Sequence, residues 1–522
     1  MKTPRYPFDT ASFERIICEG YTYVDKTAYI HEMVNEGQFF FLARPRRFGK
    51  SLFISTLEQY FLGNKELFKG LKIHELQPQD WETYPVLHLD FTGAFFKDDN
   101  SLTEFLNGAI DGWYHYYDIE IRNQNYSDKF FELIKTLSEK FSKKIVVLID
   151  EYDIPLTKSI EDKSLQEDYR NQLQSFYSIL KKCDRYIKFC MLTGVSRFGK
   201  VSIFSGLNNL KDITFSDKYA GICGITEAEL HSSYNFGIAK LAEKENITTD
   251  EAFSLLKENY DGYHFSKCLL DVYNPFSINN ALSDLEIKDF WCQSGTPELL
   301  SRSLFKIDYD LESMVGVEVS ETALSNLSIY TSNPLPLFYQ TGYLTLKSYN
   351  KEDKLYTVGY PNKEVENGLL QNILEVYAPT PKDSMTAASQ IRKSLREGDP
   401  EQYVTEMTSY LAGIPSKLKV RVAKFENYYH TIFYCIASLL GLDVHVEQNT
   451  AEGFIDMVIT TSDYIYLIEY KVNGDAESAI QQIEQRHYAT KFLTDPRRLY
   501  EIGIGFSKQT GTITSHIIKQ LS

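Results

Sequence analysis

An α/β chain of three domains is what the sequence predicts, and three patterns predict it. Up to about Ser232, short apolar runs alternate with helical patterns, which implies a parallel sheet with helices on both faces. From about Glu227 to Pro379 the pattern is mainly helical, interrupted by one hairpin candidate. Beyond Val420 a helix, three strand candidates, a second helix and a last strand form a compact α/β module. The length agrees, since 522 residues at roughly 150 per domain make about three cores.

In the first region strands are expected at Phe39–Leu42, Val86–Leu89, Ile145–Ile149 and Ile187–Leu192. In the second, Tyr343–Lys347 and Lys354–Val358 flank a polar turn and read as a small two-stranded wing. The run Ala378-Pro-Thr-Pro-Lys-Asp-Ser384 is rich in turn formers and reads as a linker. The last region is expected to hold helices at Glu426–Leu440 and Glu477–Leu493 and a final strand at Tyr500–Phe506. The domain boundaries follow as 1–232, 233–379 and 380–522. There are no repeats or low-complexity tracts.

Apolar residues make up 43% and charged residues 24%, a composition that excludes global disorder. The net charge of −16 disfavours a passive polyanion-binding surface. Residues 416–522 carry 11 basic against 12 acidic side chains, so nearly all the acidic excess lies ahead of them and the tail reads as a separate module. Seven scattered cysteines without C-x-x-C spacing read as reduced core residues. Met1–Asp9 has no apolar run, and no 18-residue uncharged apolar stretch occurs, so neither secretion nor a membrane span is expected and the cytoplasm is the default.

The first chemical motif is Ala43-Arg-Pro-Arg-Arg-Phe-Gly-Lys-Ser51, between a strand candidate and a segment, Leu52–Phe61, with apolar residues at helical spacing. That is the strand, loop and helix context of a phosphate-binding loop. Backbone N–H groups from Arg47, Phe48 and Gly49 into the helix start would hold phosphates, Lys50 would neutralise their charge, and Ser51 would ligate Mg²⁺. Arg44 stands where the usual pattern has its first glycine. Arg47-Phe-Gly-Lys50 recurs as Arg197-Phe-Gly-Lys200, but Val201 follows in place of a hydroxyl residue, and the second copy reads as an ordinary turn.

The companion motif, Ile145-Val-Val-Leu-Ile-Asp-Glu151, is an apolar strand ending in two carboxylates. Beside a phosphate loop, Asp150 would hold Mg²⁺ through its water shell and Glu151 would polarise the attacking water. Thr193, Ser196 and Arg197 follow the next strand, where an additive-strand ATPase senses the γ-phosphate; Arg197 reads equally as a sensor or finger arginine and as an ion-pair partner. Asp90, ending another strand, reads as a turn or cap residue.

The second chemical motif lies near the C-terminus. Phe454–Thr460 and Tyr464–Val472 alternate apolar residues around Thr461-Ser-Asp463. In a hairpin centred between Ser462 and Asp463, Asp456 and Glu469 lie directly opposite on one face, and Lys471 shares that face. Like charges so placed are destabilising unless a cation compensates. The set suits phosphodiester hydrolysis: Asp456 and Glu469 on Mg²⁺, with Mn²⁺ as the alternative, and Lys471 orienting water or stabilising negative charge. Glu426 reads equally as a further ligand and as a helix-dipole partner, and Gln482 as a site-edge or a solvated residue.

Together these motifs resemble a bacterial family that fuses an AAA-ATPase-like domain to a C-terminal PD-(D/E)xK nuclease-like domain. The carrying segments also include Tyr23-Val-Asp-Lys-Thr27, Ile149-Asp-Glu-Tyr-Asp153, Leu192-Thr-Gly-Val-Ser196, Tyr260-Asp-Gly-Tyr263, Tyr273-Asn-Pro-Phe276, Tyr339-Gln-Thr-Gly-Tyr343 and Tyr360-Pro-Asn-Lys-Glu364. The resemblance implies an AAA-like P-loop sheet, a winged-helix-like middle and a restriction-endonuclease-like C-terminal fold. It implies ATP at Lys50, Ser51, Asp150 and Glu151, and a nuclease centre at Glu426, Asp456, Glu469, Lys471 and Gln482. Phe454 departs from the family's frequent Gly-Arg-Ile-Asp form.

The expectation is therefore an ATP-regulated, Mg²⁺-dependent nuclease with a nucleic-acid partner, DNA ahead of RNA. An arginine donated between subunits would make it a homo-oligomer. Two other readings stand beside it: a switch ATPase whose nuclease-like module only binds, and a scaffold that keeps ATP as a structural ligand.

Overall fold

The computed structural model describes residues 4–79, 81–160, 162–197, 203–204, 206–292, 311–325, 333–380, 384–415, 418, 427–450, 453–507 and 509–521, with side chains left undescribed at 427, 430, 445–450 and 453–455. The contacts divide the chain into two compact units. One joins Met1–Gly295 with Val315–Val365, and the other joins Thr296–Met314 with Glu366–Ser522. The described middle-region residues before 293, and those from 315 to 365, thus belong with the N-terminal sheet.

The first unit is built on five parallel strands, β1 (Phe39–Ala43), β2 (Val86–Asp90), β3 (Ile145–Asp150), β4 (Ile187–Gly194) and β5 (Lys211–Asp212), in the order β2-β3-β4-β1-β5. β4 therefore lies between the strand that leads into the phosphate loop and the strand that ends in Asp150. β1 and β3 are buried along their whole length because helices cover both faces. On one face Phe41, Leu87, Ile149 and Leu192 pack with Leu106, Phe130, Leu173 and Phe176 from the helices Ser101–Tyr116, Tyr126–Phe141 and Lys163–Lys182. On the other, Phe61 from the helix Lys50–Phe61 meets Phe189 of β4 at 5.1 Å.

The middle region begins with the helix Glu227–Ser233, whose start is fixed by a capping box between Thr226 and Glu229. Glu229 also holds the buried Lys26 at 2.6 Å. The wing is a three-stranded antiparallel sheet, order β6-β8-β7, of β6 (Glu318–Ser320), β7 (Thr345–Asn350) and β8 (Leu355–Gly359). The hairpin is the expected one, and β6 is an addition too short to announce itself by alternation.

The second unit carries a mixed sheet, order β13-β12-β11-β10-β9, of β9 (Asp443–Thr450), β10 (Gly453–Thr460), β11 (Tyr464–Val472), β12 (Arg498–Ser507) and β13 (Thr512–Gln520). β11 and β12 run parallel, joined by a crossover that contains the helix Ala476–Gln485. That helix is shorter than the expected Glu477–Leu493. It stops because His487 takes a left-handed conformation, φ 48°, and the chain turns to bury Tyr488 in the module's core. Gly503 lets the helix lie flush on the sheet, since a Cβ there would come within 2.6 Å of the Ala476 carbonyl.

Candidate functional site

In the first unit the loop leaves β1 at Arg44 and enters the helix at Gly49, whose φ of 94° is open to glycine at little cost. Arg44 is fully buried and acts as a strut. Its guanidinium bonds the carbonyls of Ala43 (2.9 Å) and Thr214 (2.8 Å) and lies 4.2 Å over the Phe265 ring, and burial lowers its pKa. The position held by glycine in the usual motif is thus anchored by a side chain.

The next residues are gripped from the middle region. A Cβ on Gly342 would meet Pro45 at 2.7 Å, the Trp291 indole donates to the Arg46 carbonyl at 3.2 Å, and Arg47, itself at φ 65°, lies 3.8 Å over Phe276. Phe48 is buried edge-on against Tyr263 and Phe265. Its ring serves packing, and its carbonyl accepts from the Gly224 N–H at 3.1 Å. The segments around Tyr263, Phe276 and Gly342 therefore converge on one loop.

Lys50 is buried at the helix start, donating to the Pro45 carbonyl at 3.1 Å and pairing with Glu151 at 3.2 Å. Asp150, at the tip of β3, accepts hydrogen bonds from the Ser51 and Thr193 hydroxyls. Burial raises its carboxyl above the usual range, against those two bonds and the Lys50 charge. Lys50, Ser51, Asp150, Glu151 and Thr193 thus meet at the C-terminal ends of adjacent strands, where nucleotides bind in open parallel sheets. A lysine, a hydroxyl and a carboxylate beside a helix N-terminus fit a magnesium-bound triphosphate.

Two side chains that sequence pattern did not single out complete this edge. Asp153 is buried and accepts from the backbone N–H of Val195 (3.2 Å) and Ser196 (2.7 Å) and from the Ser196 hydroxyl. Burial, then the Glu151 charge, raises its pKa. Gln340 accepts from the Arg197 N–H at 2.7 Å. The Arg197 guanidinium pairs with Asp212 and Ser325 and lies over Phe215, so in this structure it is held in a buried ion pair. Of the second copy of the motif, 198–202 lie outside the described residues. Asp90 accepts from the Thr92 N–H, a local turn bond.

In the second unit the pairs Met457↔Ile468 and Thr460↔Ile465 set the β10–β11 register, and the next step outward sets Asp456 against Glu469. The Glu469 carboxylate accepts from the Asp456 N–H at 3.4 Å, and Asp456 accepts from the Tyr470 N–H at 2.8 Å. Glu469 is 1% exposed, and burial together with the Asp456 charge pushes its carboxyl up to about 7. Lys471 reaches Glu469 at 2.9 Å and the Gln482 side-chain oxygen at 2.5 Å. Gln482 is brought there by the crossover helix. Two opposed carboxylates, one reluctant to ionise alone, fit a divalent cation. Among the described residues no three metal-ligating side chains converge, and Glu426 lies outside them.

These geometries agree with the comparisons. Residues 7–204 match the predicted AAA-ATPase family model, and 424–516 match the PD-(D/E)XK nuclease superfamily. The chain is 32% identical over 530 aligned positions to the uncharacterized protein in the vnfD 5′ region of Azotobacter chroococcum mcd 1, covering 100% of both. It belongs to this family of AAA-ATPase-like proteins with a C-terminal PD-(D/E)XK domain. The Aeropyrum pernix ORC2 protein, solved in ADPNP and ADP complexes, is 10% identical and covers 67% of this chain and 93% of its own, but its TM-score of 0.24 is too slight to bear on function.

Proposed function

We propose that the protein binds and hydrolyses ATP at the β1–β3–β4 edge, and that its C-terminal module is a metal-dependent nuclease governed by the nucleotide state. The observation that carries the first part is the convergence of Lys50 and Ser51, from the start of the helix after β1, with Asp150 and Glu151, from the end of β3 about 100 residues later in sequence. Lys50 would hold the β- and γ-phosphates, Ser51 and Asp150 the Mg²⁺ ion and its water, and Glu151 the attacking water. The second part is supported by the opposed Asp456 and Glu469 with Lys471 between Glu469 and Gln482. A bound divalent cation would supply phosphate polarisation and an activated water there. Asp456 and Glu469 would hold it, and Lys471 would stabilise the developing negative charge.

Among the described residues no helix is long and apolar enough to cross a membrane. We place the protein in the cytoplasm, with DNA the substrate to try before RNA.

The test is incubation of the full chain with plasmid DNA, linear DNA and RNA in Mg²⁺ or Mn²⁺, with and without ATP. Cleavage is expected to fall by about 10³-fold or more in Asp456→Ala and Lys471→Ala, and the ATP effect to vanish in Lys50→Ala. ATP turnover without cleavage of any substrate would move the switch-ATPase reading ahead.

A further inference from the structure

Three consecutive backbone N–H groups at the end of β4, those of Val195, Ser196 and Arg197, are each accepted by a side chain from elsewhere: Asp153 takes the first two and Gln340 the third. Asp153 stands at the N-cap position of the helix Ile154–Lys158, where an aspartate ordinarily bonds the helix's own N–H groups. It makes no such bond, because its carboxylate is turned across to β4. The approach is close enough to require Gly194, since a Cβ there would lie 2.5 Å from the Tyr152 ring and 2.6 Å from Asp153. Tyr152 reinforces the crossing, with its N–H to the Thr193 carbonyl at 3.0 Å and its hydroxyl to the Ser196 carbonyl at 2.8 Å.

Between Asp150 and this staple lies Glu151, at φ 53°, a left-handed conformation that a non-glycine residue keeps only when its surroundings impose it. On the far side Gln340 donates to the Leu324 carbonyl at 2.7 Å, which ties the β4 end to the middle region.

We propose that Asp153 and Gln340 are positioning residues for hydrolysis: together they fix the end of β4, Asp153 thereby holds Glu151 in its left-handed turn beside Lys50, and turnover requires the middle-region helix Leu335–Thr341 to be seated. This rests on the reading of the site as an ATPase. Neither side chain touches nucleotide in this assignment, so their loss acts on the rate of the chemical step and leaves affinity in place.

The test measures kcat for phosphate release, Kd for a fluorescent ATP analogue, and thermal unfolding in the full chain. Asp153→Asn, which presents a donor amide to backbone donors, is expected to lower kcat at least tenfold with Kd within threefold of wild type. Gln340→Met, which keeps length and removes both the acceptor for the Arg197 N–H and the donor to Leu324, is expected to do the same. Wild-type kcat in Asp153→Asn or Gln340→Met, or Kd rising in step with the fall in kcat, overturns the proposal. Should Asp153→Asn not fold, Ser196→Ala removes a single hydroxyl donor, and an unchanged kcat there overturns it as well. A wild-type chain that binds the analogue without releasing phosphate overturns the ATPase reading instead, and the wild-type assay alone reveals it.

Discussion

The two candidate sites balance charge in opposite ways. At the β1–β3–β4 edge each charge has its answer inside the protein: Lys50 meets Glu151, Asp150 takes two hydroxyls, Asp153 takes three donors, and Arg197 meets Asp212. In the C-terminal hairpin two carboxylates face each other, Lys471 reaches one of them, and burial together with the Asp456 charge raises Glu469 to about 7. The first site is prearranged by bonds, of which a nucleotide would exchange those of Lys50 and Asp150 and leave those of Asp153 in place. The second carries a repulsion that a bound cation or a proton on Glu469 relieves.

That contrast can be broken most forcefully at the ion pairs. Arg197→Ala would remove the cation paired with Asp212, which is only 10% exposed, and should cost the first unit about 3 kcal/mol or more in urea unfolding. Lys471→Ala removes a cation that is 29% exposed, and Glu469, already pushed up to about 7 by burial and the Asp456 charge, takes up a proton in its place, so the second unit should lose about 1 kcal/mol or less. Equal losses would mean that the two sites are not built differently.

Next in size is ligand stabilisation. Mg²⁺-ATP at 100 times its Kd should stabilise the wild type by about 2.7 kcal/mol, read as a thermal shift, and Lys50→Ala should abolish that shift. A shift that survives in Lys50→Ala would place the phosphates elsewhere.

The smallest effect sharpens the second half of the comparison. A carboxyl whose folded pKa lies above its unfolded one imposes no penalty below the unfolded value near 4.3, a growing one up to about 7, and a constant one beyond. Without metal, the contribution of Glu469 to stability should therefore decline as pH rises through that window. Asp456→Asn should flatten the decline and raise neutral-pH stability by up to about 1 kcal/mol, and added Mg²⁺ should do likewise for the wild type. Urea melts at roughly pH 5 and roughly pH 8 check this, and a wild-type slope equal to that of the variant would show that the two carboxylates do not interact.

What the sequence disclosed follows from the range of each signal. The strands at 39–43 and 145–150 are short, apolar up to the terminal Asp150 of the second, and bounded by chemistry-bearing residues, so they were legible, as was the hairpin symmetry that opposes Asp456 and Glu469. The role of Arg44 was not, because its partners Thr214 and Tyr219 lie about 170 residues away and no periodicity marks a carbonyl as an acceptor. Asp153 stood unmarked within the Ile149–Asp153 segment, because the N–H groups it accepts, those of Val195 and Ser196, lie 42 and 43 residues away. The break at His487 was hidden because local helical spacing continues through it while the burial of Tyr488 decides the path.

The order of strands in the N-terminal sheet also dictates when the first unit can form on the ribosome. β1 pairs with Cys190–Gly194 on one side and Lys211–Asp212 on the other, both about 150 or more residues downstream. At roughly 5–20 residues per second, the phosphate-loop strand waits on the order of ten to thirty seconds as an unpaired apolar segment, Phe39-Phe-Phe-Leu-Ala43, before either neighbour exists. Until residue 194 has been synthesised, nascent chains have a phosphate-loop sequence but no paired neighbour to hold its strand.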